Sequence, residues 1–260
     1  MSPVTGGRQT GRVALVTGAS KGIGRATAVR LAQEGALVVV NFLSDADGAA
    51  ETVAEIESVG SKALAIRADV SDEGQVTEMV RQAVAELGSV DIAINNAGIF
   101  PWQDWTDISS DDWDRVLAVD LKGCFLVSRA VYPHMRSRRW GRIVSLSSAT
   151  ALHGQAELMH YAAAKAGIVG LTRSLARAVG DDGITVNAVT TGRTLTDGFQ
   201  KWFDDGTLSL ADTEASRDSQ AIKRLAKPED IVGTIAFVVS DDAAYMTGQL
   251  LNVDGGRTMR

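Results

Sequence analysis

The sequence has little of what disulfides, metal centres and membrane spans are made from. Its 260 residues include one cysteine, Cys124, so no disulfide can close within the chain, as is typical of a reducing compartment. The three histidines have no metal-ligand spacing with cysteine or acids, so we expect no metal. No apolar run approaches the roughly 20 residues that cross a bilayer, and the first residues lack the apolar core of a signal peptide. We therefore expect a cytoplasmic protein.

The chain also lacks an excess of positive charge. Lysine and arginine number 26 against 32 aspartates and glutamates, a formal net charge of −6, which argues against nucleic acid as a main partner. The one basic run, RSRRWGR at 136–142, is interpreted as a solvated helix end rather than an anion site. Cys124 lies in the apolar run GCFLV, which is typical of a small buried side chain and not of a nucleophile.

Two kinds of apolar segment alternate along the chain. Short runs rich in β-branched residues predict strands, and runs with apolar positions at helical spacing predict helices. The predicted strands are 12–17, 36–42, 62–70, 90–95, 141–148, 184–190 and 248–254, and the predicted helices are 22–34, 46–59, 73–87, 111–138, 159–180 and 228–240. Continuously apolar strands between helices predict an α/β fold with one doubly wound, Rossmann-type parallel sheet of seven strands.

Two stretches fall outside this alternation. Residues 1–11 are polar and glycine-rich and predict a flexible tail, so that the single domain covers 12–260. Residues 191–227 are too long for a simple connection, and loops of that length are commonly lids or binding segments. Ligands of such sheets bind at the carboxyl ends of the strands, so we expect 191–227 to cover a substrate there.

A glycine-rich loop, TGASKGIG, follows the first predicted strand and opens the first helix. Its glycines, Gly18, Gly22 and Gly24, allow a sharp turn and a close approach of backbone N–H groups to a pyrophosphate. A cluster of glycines can also be no more than a tight strand-to-helix turn. The position between a buried parallel strand and a helix is the context that favours a dinucleotide site.

The stretch MHYAAAKAG places a phenol, Tyr161, and an ammonium, Lys165, on the same face of a predicted helix. A neighbouring cation lowers the pKa of a phenol, and a phenol with a lowered pKa can act as general acid or base at a carbonyl. A lone tyrosine and lysine at this spacing more often just decorate a helix. Ser148 stands thirteen residues upstream at the end of a predicted strand, with Ser147 as the neighbouring candidate for the same hydroxyl.

These motifs together resemble the short-chain dehydrogenase/reductase family over residues 12–256: the G-x3-G-x-G loop, NNAG at 95–98, and the serine before Y-x-x-x-K. The resemblance implies that Tyr161 protonates a ketone oxygen, that Ser148 positions it, and that Lys165 tunes Tyr161 and holds the nicotinamide ribose. Tyrosine and lysine are separated here by three residues, against six in similar enoyl reductases. The spacing therefore favours interconversion of ketone and secondary alcohol over reduction of C=C.

The resemblance also implies a set of cofactor-binding residues. Asp69 and Val70 are expected beside the adenine, Asn95 and Gly98 beside its ribose, and Thr196 near the carboxamide and pyrophosphate. The full set is Gly18, Ser20, Lys21, Gly22, Ile23, Gly24, Asn41, Asp69, Val70, Asn95, Ala97, Gly98, Tyr161, Lys165, Thr191, Gly192, Thr194 and Thr196. Asn41 or Phe42 stands where an NAD-selecting acid would be, and Lys21 can reach a 2′-phosphate, so NADP(H) is favoured and NAD(H) stays possible.

Two positions depart from the family pattern. Asp120 stands in VLAVDLKGCF where similar proteins carry asparagine, and Thr191 stands where they carry proline. A carboxylate near Lys165 is expected to oppose the lowering of the Tyr161 pKa. We therefore count Asp120 among the catalytic residues and expect the protein to have an altered pH optimum or a reduced turnover. Thr191 leaves the loop beside the nicotinamide freer than proline would.

Substrate contacts are expected from Trp102, Gln155 and Trp202 beside Ser148 and Tyr161, which suits a medium-sized, largely apolar ketone or alcohol. These aromatic side chains can equally serve only to seat the lid on the core.

A 3-oxoacyl-carrier-protein reductase is the alternative; its carrier-binding arginines are replaced here by Pro133 and Asp182, although Arg136, Arg138 and Arg139 are close. A dinucleotide-binding protein without catalysis is a further alternative. The resemblance implies a homotetramer acting on a small molecule.

Overall fold

The protein, described here from a computed structural model over residues 7–204 and 206–259, is built on one parallel sheet of seven strands. The strand order is β3-β2-β1-β4-β5-β6-β7, and every neighbouring pair is parallel. The strands are β1 Val13–Val16, β2 Leu37–Phe42, β3 Ala63–Arg67, β4 Ile92–Asn95, β5 Gly141–Ser148, β6 Ile184–Thr191 and β7 Leu250–Val253. The predicted seven-stranded, doubly wound sheet is therefore confirmed.

Ten α-helices cover and flank this sheet within the described residues. They are α1 Gly22–Gln33, α2 Ala46–Ser58, α3 Glu73–Leu87, α4 Ser110–Leu117, α5 Gly123–Arg138, α6 Thr150–His153, α7 Met159–Val179, α8 Asp197–Asp204, α9 Leu210–Asp218 and α10 Pro228–Val238. Short polar side chains begin several of them: Asp45, Asp72 and Ser109 each accept a hydrogen bond from a backbone N–H of the first turn. Such caps satisfy N–H groups that have no partner inside the helix.

The two faces of the sheet are buried under separate helix layers. Alternate residues of the strands pack on α3, α5 and the end of α7 in one layer, with Met79, Val131 and Met135 fully buried. The other layer, with α1, α2 and α10, buries Leu31 and Ile235 against the opposite face. Burial on both faces explains why the strands are continuously apolar.

The predicted helix over 111–138 is interrupted. Between α4 and α5 the chain makes a π-helical turn at Ala118–Lys122, and Asp120 lies buried inside it. Turns of this type widen a helix by one residue and recur at functional sites. Apolar periodicity does not reveal such a turn, because the amphipathic pattern continues through it.

Two predictions about irregular segments need correction. Residues 191–227 contain two helices, α8 and α9, which the sequence analysis did not predict. Residues 7–11 are not loose, because Gln9 is buried and its backbone N–H and side-chain amide donate to Glu34 O and Ala236 O. Residues 1–6 of the predicted tail lie outside the described residues.

The described residues include no helix long and apolar enough to cross a membrane. Within the same ranges, no three His, Cys, Asp or Glu side chains lie together as metal ligands. Cys124 is buried, as predicted, and burial raises the pKa of its thiol to about 11.

Candidate active site

A groove of about 680 Å³ runs along the carboxyl ends of the central strands. Of the residues predicted to bind a cofactor, it is lined by Gly18, Ser20, Lys21, Gly22, Ile23, Gly24, Asn41, Asp69, Val70, Ala97, Gly98, Tyr161, Lys165, Thr191 and Thr196. Gly192 and Thr194 line an adjoining cavity instead. Segments far apart in the chain thus meet at one edge of the sheet, which is where ligands of doubly wound sheets bind.

The glycine loop has the conformation and the clearance that a dinucleotide phosphate needs. Gly18 and Gly22 have φ of 61° and 57°, in the left-handed region that favours glycine. A Cβ added to Gly18 would lie 2.9 Å from the Ala97 Cα, so the two loops touch across the groove. No side chain caps the amino end of α1, so its N–H groups are free to meet a pyrophosphate. The residues present therefore fit a bound dinucleotide.

The side chain of Asn41 is hydrogen-bonded to the glycine loop. Its Oδ1 accepts from the Gly18 N–H at 3.2 Å, and its Nδ2 donates to Ala68 O at 3.1 Å. The side chain is 1% exposed, so its polar atoms are engaged within the protein although the residue lines the groove. Asn41 therefore braces the loop and is poorly placed to contact a ribose.

The structure differs from the sequence prediction at Asn95. This last residue of β4 does not line the groove: its Nδ2 donates to Ser145 Oγ at 3.0 Å and Ser128 Oγ at 3.2 Å under α5. Successive residues of a strand face opposite sides, which turns Asn95 inward. Asn96, which we did not predict, lines the groove and donates to Thr17 O and Gly18 O at 2.8 and 3.0 Å.

The groove is also lined by Asp69 and Lys21, which the sequence places beside the adenine and a 2′-phosphate. The Asp69 Oδ1 accepts from the Ser71 N–H and Oγ–H at 2.8 and 2.7 Å, so this carboxylate also orders its own turn. Lys21 is 56% exposed at its side chain, and its Nζ lies 3.7 Å from Asp45 Oδ2. Lys21 is therefore an exposed cation whose acidic neighbour, Asp45, lies at the start of α2.

Tyr161 lies on α7 where the groove meets a second cavity of about 180 Å³, and it lines both. Ser148, at the end of β5, lines the second cavity, and its Oγ accepts from the Thr150 N–H and Oγ–H at 3.2 and 2.9 Å. Ser147 lines the large groove and not the second cavity, and its Oγ donates to Lys165 O at 2.9 Å. The structure thus places Ser148, and not Ser147, beside Tyr161.

Lys165 is held by two oxygens in the interior. Its Nζ donates to Leu146 O at 3.0 Å and lies 3.1 Å from Asp120 Oδ2, with both side chains at most 5% exposed. The other carboxylate oxygen of Asp120 accepts from the Ile99 N–H at 2.8 Å. A Cβ added to Gly98 would lie 2.7 Å from Asp120 Oδ2, so only glycine leaves room for this ion pair beside the groove.

This arrangement sets the protonation of the site. Burial raises the pKa of Asp120, against the attraction of Lys165. Burial works against the charged form of Lys165, but Asp120 and Tyr161 prevail and raise the pKa of that ammonium. Burial and the Asp120 charge together raise the pKa of Tyr161, against the opposing effects of Lys165 and of a hydrogen bond from Ser148. The Asp120 carboxylate therefore raises the pKa of Tyr161 and opposes Lys165, which lowers it, as expected from the sequence.

Aromatic side chains form one wall of the second cavity. The Trp202 ring on α8 meets Phe100 edge-on at 5.0 Å and Trp102 at 5.4 Å between centroids, and Phe100 lies 6.0 Å from Tyr161. Gln155 lines the same cavity and donates to Glu157. Edge-to-face contacts of this kind fix ring positions and leave apolar surface facing the cavity.

Two arginines that we did not predict, Arg193 and Arg257, also line the second cavity. They come from the start of the predicted lid and from the last turn of the chain. No local motif marks either residue, because only the folded topology brings these two segments together. The sequence signal was thus confined to the loops that carry family motifs.

Comparisons with known proteins agree with this geometry. A family model described as enoyl-(acyl carrier protein) reductase matches residues 18–258. The chain is 40% identical over 246 residues to 3-oxoacyl-[acyl-carrier-protein] reductase FabG of Staphylococcus epidermidis, covering 95% of this chain and 98% of that protein. The chain belongs to the short-chain dehydrogenase/reductase family. Its members are oxidoreductases that act on CH–OH and carbonyl groups with a nicotinamide cofactor.

Other members show how widely the names of similar proteins vary. The (2S)-[(R)-hydroxy(phenyl)methyl]succinyl-CoA dehydrogenase subunit BbsD of Thauera aromatica is 40% identical over 248 residues, covering 95% of this chain and 97% of that protein. A crystal structure of a dehydrogenase/reductase from Sinorhizobium meliloti 1021 superposes with a TM-score of 0.88 at 36% identity, covering 96% of each chain. Membership in the short-chain dehydrogenase/reductase family therefore establishes the class of reaction and leaves the substrate open.

Proposed function

We propose that the protein interconverts a small, largely apolar ketone and its secondary alcohol with NAD(P)(H). The observation that supports this most is the position of Tyr161 and Ser148 where the dinucleotide-sized groove opens into an aromatic cavity. A carbonyl group in that cavity can reach both hydroxyls. The tyrosine and lysine are one helical turn apart, as in family members that act on C=O.

The protein's own groups have distinct tasks in this proposal. The bound nicotinamide cofactor supplies the hydride to the carbonyl carbon. Ser148 and Tyr161 hold the carbonyl oxygen by hydrogen bonds, and Tyr161 gives its phenolic proton to that oxygen as negative charge develops there. In the opposite direction the Tyr161 phenolate removes the proton of the alcohol. Lys165 stabilises the phenolate, and Asp120 holds Lys165 in place.

Replacing Tyr161 tests the proposal directly. Tyr161→Phe removes only the hydroxyl, and we expect kcat for ketone reduction to fall by about 10²–10⁴-fold, the usual contribution of general acid catalysis. The measurement is NADPH and NADH oxidation over a panel of ketones, β-ketoesters and acyl thioesters. Tyr245→Phe is the matched control, because Tyr245 is fully exposed and is expected to keep the wild-type rate. Equal rates for the two variants would remove Tyr161 from the chemistry.

For the coenzyme we propose a preference for NADP(H) over NAD(H). The end of β2 carries Asn41 and Phe42 rather than an acid that would repel a 2′-phosphate, and the exposed Lys21 lines the same groove. Asp45, 3.7 Å from Lys21, is an acid nearby, and it keeps NAD(H) as the second candidate. Its carboxylate is engaged at the start of α2, where it accepts from the Gly48 N–H at 3.1 Å.

Lys21→Ala is expected to raise the KM for NADPH by about tenfold and to leave the KM for NADH nearly unchanged, because a cation–phosphate hydrogen bond contributes roughly 1.5–3 kcal/mol before screening. The comparison is made with steady-state kinetics on one ketone at two ionic strengths. Lys62→Ala removes an exposed lysine outside the groove and controls for net charge. A uniform effect on both coenzymes would argue against a 2′-phosphate contact.

The second candidate is a 3-oxoacyl-[acyl-carrier-protein] reductase, which is favoured by the name of the Staphylococcus relatives. An acidic carrier protein needs unpaired basic residues at the rim of the site. Near the ends of α5 and α7, Arg136 and Arg139 lie 3.6 and 3.7 Å from Asp182, and Arg138 lies 3.2 Å from Asp91. These pairs weaken the carrier alternative at the three arginines, whereas Arg177, exposed in the last turn of α7, has no ion pair within the described residues and keeps it as the second candidate. A comparison of kcat/KM for a carrier-bound and a free 3-oxoacyl thioester separates the two candidates.

Two broader features belong to the same proposal. Residues 191–227, with α8 and α9, form the lid over the substrate, and the domain predicted to begin at residue 12 also includes residues 7–11, which pack on it. The protein is further proposed to be a homotetramer of such domains. Support for the lid comes from Trp202, which closes the aromatic wall of the cavity against Phe100 and Trp102.

A further inference from the structure

The substrate cavity carries a net positive charge that the rest of the chain does not share. Arg193 and Arg257 both line it, and no aspartate or glutamate is among its described lining residues. The whole chain has a formal net charge of −6. The two arginines therefore make this small, aromatic-walled cavity positive in a protein whose net charge is negative.

Two acids of the same segments, Asp212 and Asp254, receive hydrogen bonds from groups other than the guanidinium groups of these arginines. Arg193 donates to the backbone oxygen of Asp212 at 3.0 Å, and the Asp212 carboxylate receives the Ser209 N–H and Oγ–H at the start of α9. The Asp254 carboxylate receives the backbone N–H groups of Arg257 and Thr258 at 3.1 and 2.9 Å. Neither arginine forms an ion pair with an acid in the described part of the chain.

The two arginines also repel each other. Burial lowers the pKa of Arg193 and the positive charge of Arg257 lowers it further, while the negative charge of Asp212 opposes both effects. Placing like charges together in a partly buried cavity costs free energy unless an anion compensates them. Fixed guanidinium groups without acid partners are a common way to recognise carboxylates and phosphates, because their donors match the oxygens of these groups.

We propose that the substrate of this cavity bears an anionic oxygen group, a carboxylate in the first instance, which Arg193 and Arg257 hold while the carbonyl group lies at Ser148 and Tyr161. This inference rests on the proposed function, since it places the reacting carbonyl at the same two hydroxyls. The aromatic wall of Phe100, Trp102 and Trp202 then contacts the apolar body between the two polar ends. The substrate class is accordingly an aryl or alkyl keto acid, or the matching hydroxy acid.

A phosphate on a pantetheine arm presents the same oxygen chemistry and could use the same arginines. The cavity is small, about 180 Å³, which favours an anion carried on the ketone itself. The two sources differ in reach, so substrates of both kinds distinguish them. Benzoylpropionate and its methyl ester test the carboxylate, and acetoacetyl thioesters of phosphopantetheine and of N-acetylcysteamine test the phosphate.

The experiment compares kcat/KM for each charged substrate with its neutral counterpart. The wild-type protein is expected to prefer the keto acid over its methyl ester, and Arg257→Gln to lower that ratio by about ten- to hundredfold, the usual effect of losing a hydrogen bond to a charged group. Arg193→Gln is expected to act in the same direction, and Arg257→Lys to restore part of the preference. Arg81→Gln, on the exposed face of α3, is the matched control and leaves the ratio unchanged.

Each outcome decides the inference. If the arginine variants lower the ratio of charged to neutral kcat/KM only for the phosphopantetheine pair, the anion site stands and its ligand is a phosphate. Ratios near unity in the wild-type protein, or equal in wild type and both glutamine variants, overturn it. If wild type reduces no ketone, the proposed function fails, and the anion site is then tested by binding alone. Phenylbutanoate and its methyl ester are titrated into the protein while tryptophan fluorescence, to which Trp102 and Trp202 contribute, is followed. Equal affinities for the two ligands would refute the site.

Discussion

Asp120 is the residue at which this chain departs most clearly from similar proteins. An asparagine side chain in its place would donate hydrogen bonds and carry no charge, whereas Asp120 pairs with Lys165 at 3.1 Å in the interior. The groups that face this pair are Tyr161 and His160 from α7, together with Cys124 from α5. Of these, burial lowers the pKa of His160 and raises the pKa of the Cys124 thiol, so neither adds charge at neutral pH.

Asp120→Asn is expected to move the pH profile toward acid. Ketone reduction needs a protonated phenol, and the raised pKa of Tyr161 keeps it protonated through neutral and mildly alkaline pH. Removing the carboxylate charge lowers that pKa, so the alkaline loss of reduction begins at lower pH. Oxidation of the alcohol, which needs the phenolate, is correspondingly faster at neutral pH. Steady-state kcat measured in both directions from pH 6 to about pH 11 checks this.

The control for this prediction is Asp111→Asn, which changes the net charge equally on the exposed first turn of α4. That variant is expected to keep the wild-type profile. Superimposable pH profiles for Asp120→Asn and the wild-type protein would show that the carboxylate does not influence the phenol.

Individual side chains were predictable where a motif fixes them in space. Helical spacing places Tyr161 and Lys165 on one face of α7, and the spacing found in similar enzymes favours Ser148 over Ser147. Asn95 was not predictable, because the sequence does not show which face of β4 a terminal residue takes. Arg193 and Arg257 were not predicted for a different reason: they lie in segments far apart in the sequence, and only the fold brings both to the cavity.

At the scale of elements, α8 is the helix on which the proposed substrate contacts depend most. It presents Trp202 to Phe100 and Trp102, while Phe199 of the same helix is buried and meets Phe203 with centroids 6.4 Å apart. One side of α8 therefore anchors the lid, and the tryptophan completes the cavity wall. The anchoring of α8 and the proposed contact with substrate are thus served by different residues.

Trp202→Ala is expected to lower kcat/KM for aromatic ketones by about tenfold or more, because two edge-to-face contacts of roughly 0.5–1.5 kcal/mol each are lost together with the wall they form. The melting temperature is expected to change little, since Phe199 still anchors α8. Trp105→Ala is the control, because Trp105 is 61% exposed in the loop before α4. The same loss of kcat/KM in both variants would exclude a specific role for the lid tryptophan.

Strands and most helices were predictable to within a few residues, because buried parallel strands and amphipathic helices leave strong periodic signals. The π-helical turn at Ala118–Lys122 and the helices of the lid were not. The turn preserves the apolar pattern on both sides, and α8 and α9 are short helices in a segment rich in polar residues. These two regions are also those that shape the site.

At the scale of the whole molecule, one apolar surface is left uncovered in the single chain. It is formed by Leu117, Leu121, Phe125, Gly167 and Leu171, from α4 to α5 and from α7, and Phe125 is 43% exposed. We call it the α5–α7 face. Contiguous apolar surface of this kind is typical of contacts between protein chains. It fits the proposed homotetramer, in which the two long helices pack against those of a second copy.

Phe125→Glu is expected to break this contact and to yield smaller particles, because a buried unpaired carboxylate at an interface is strongly unfavourable. Light scattering coupled to gel filtration measures the mass, which we expect to be four times that of one chain for the wild-type protein. Leu210→Glu places the same charge on another exposed apolar residue, 70% exposed on α9, and is expected to leave the mass unchanged. A wild-type monomer would contradict the proposal.

The pairing of β5 has a consequence for how such a site can change over time. Eight consecutive residues of this strand, Gly141 to Ser148, are in register with β6. A slip of this pairing by one residue would exchange the orientations of two adjacent hydroxyls, so that the one now tethering α7 would face the cavity. A slipped strand could still form its backbone hydrogen bonds and yet lose the chemistry. Burial along all eight residues makes such a slip unfavourable, so the same packing that stabilises the sheet also keeps the correct hydroxyl in place.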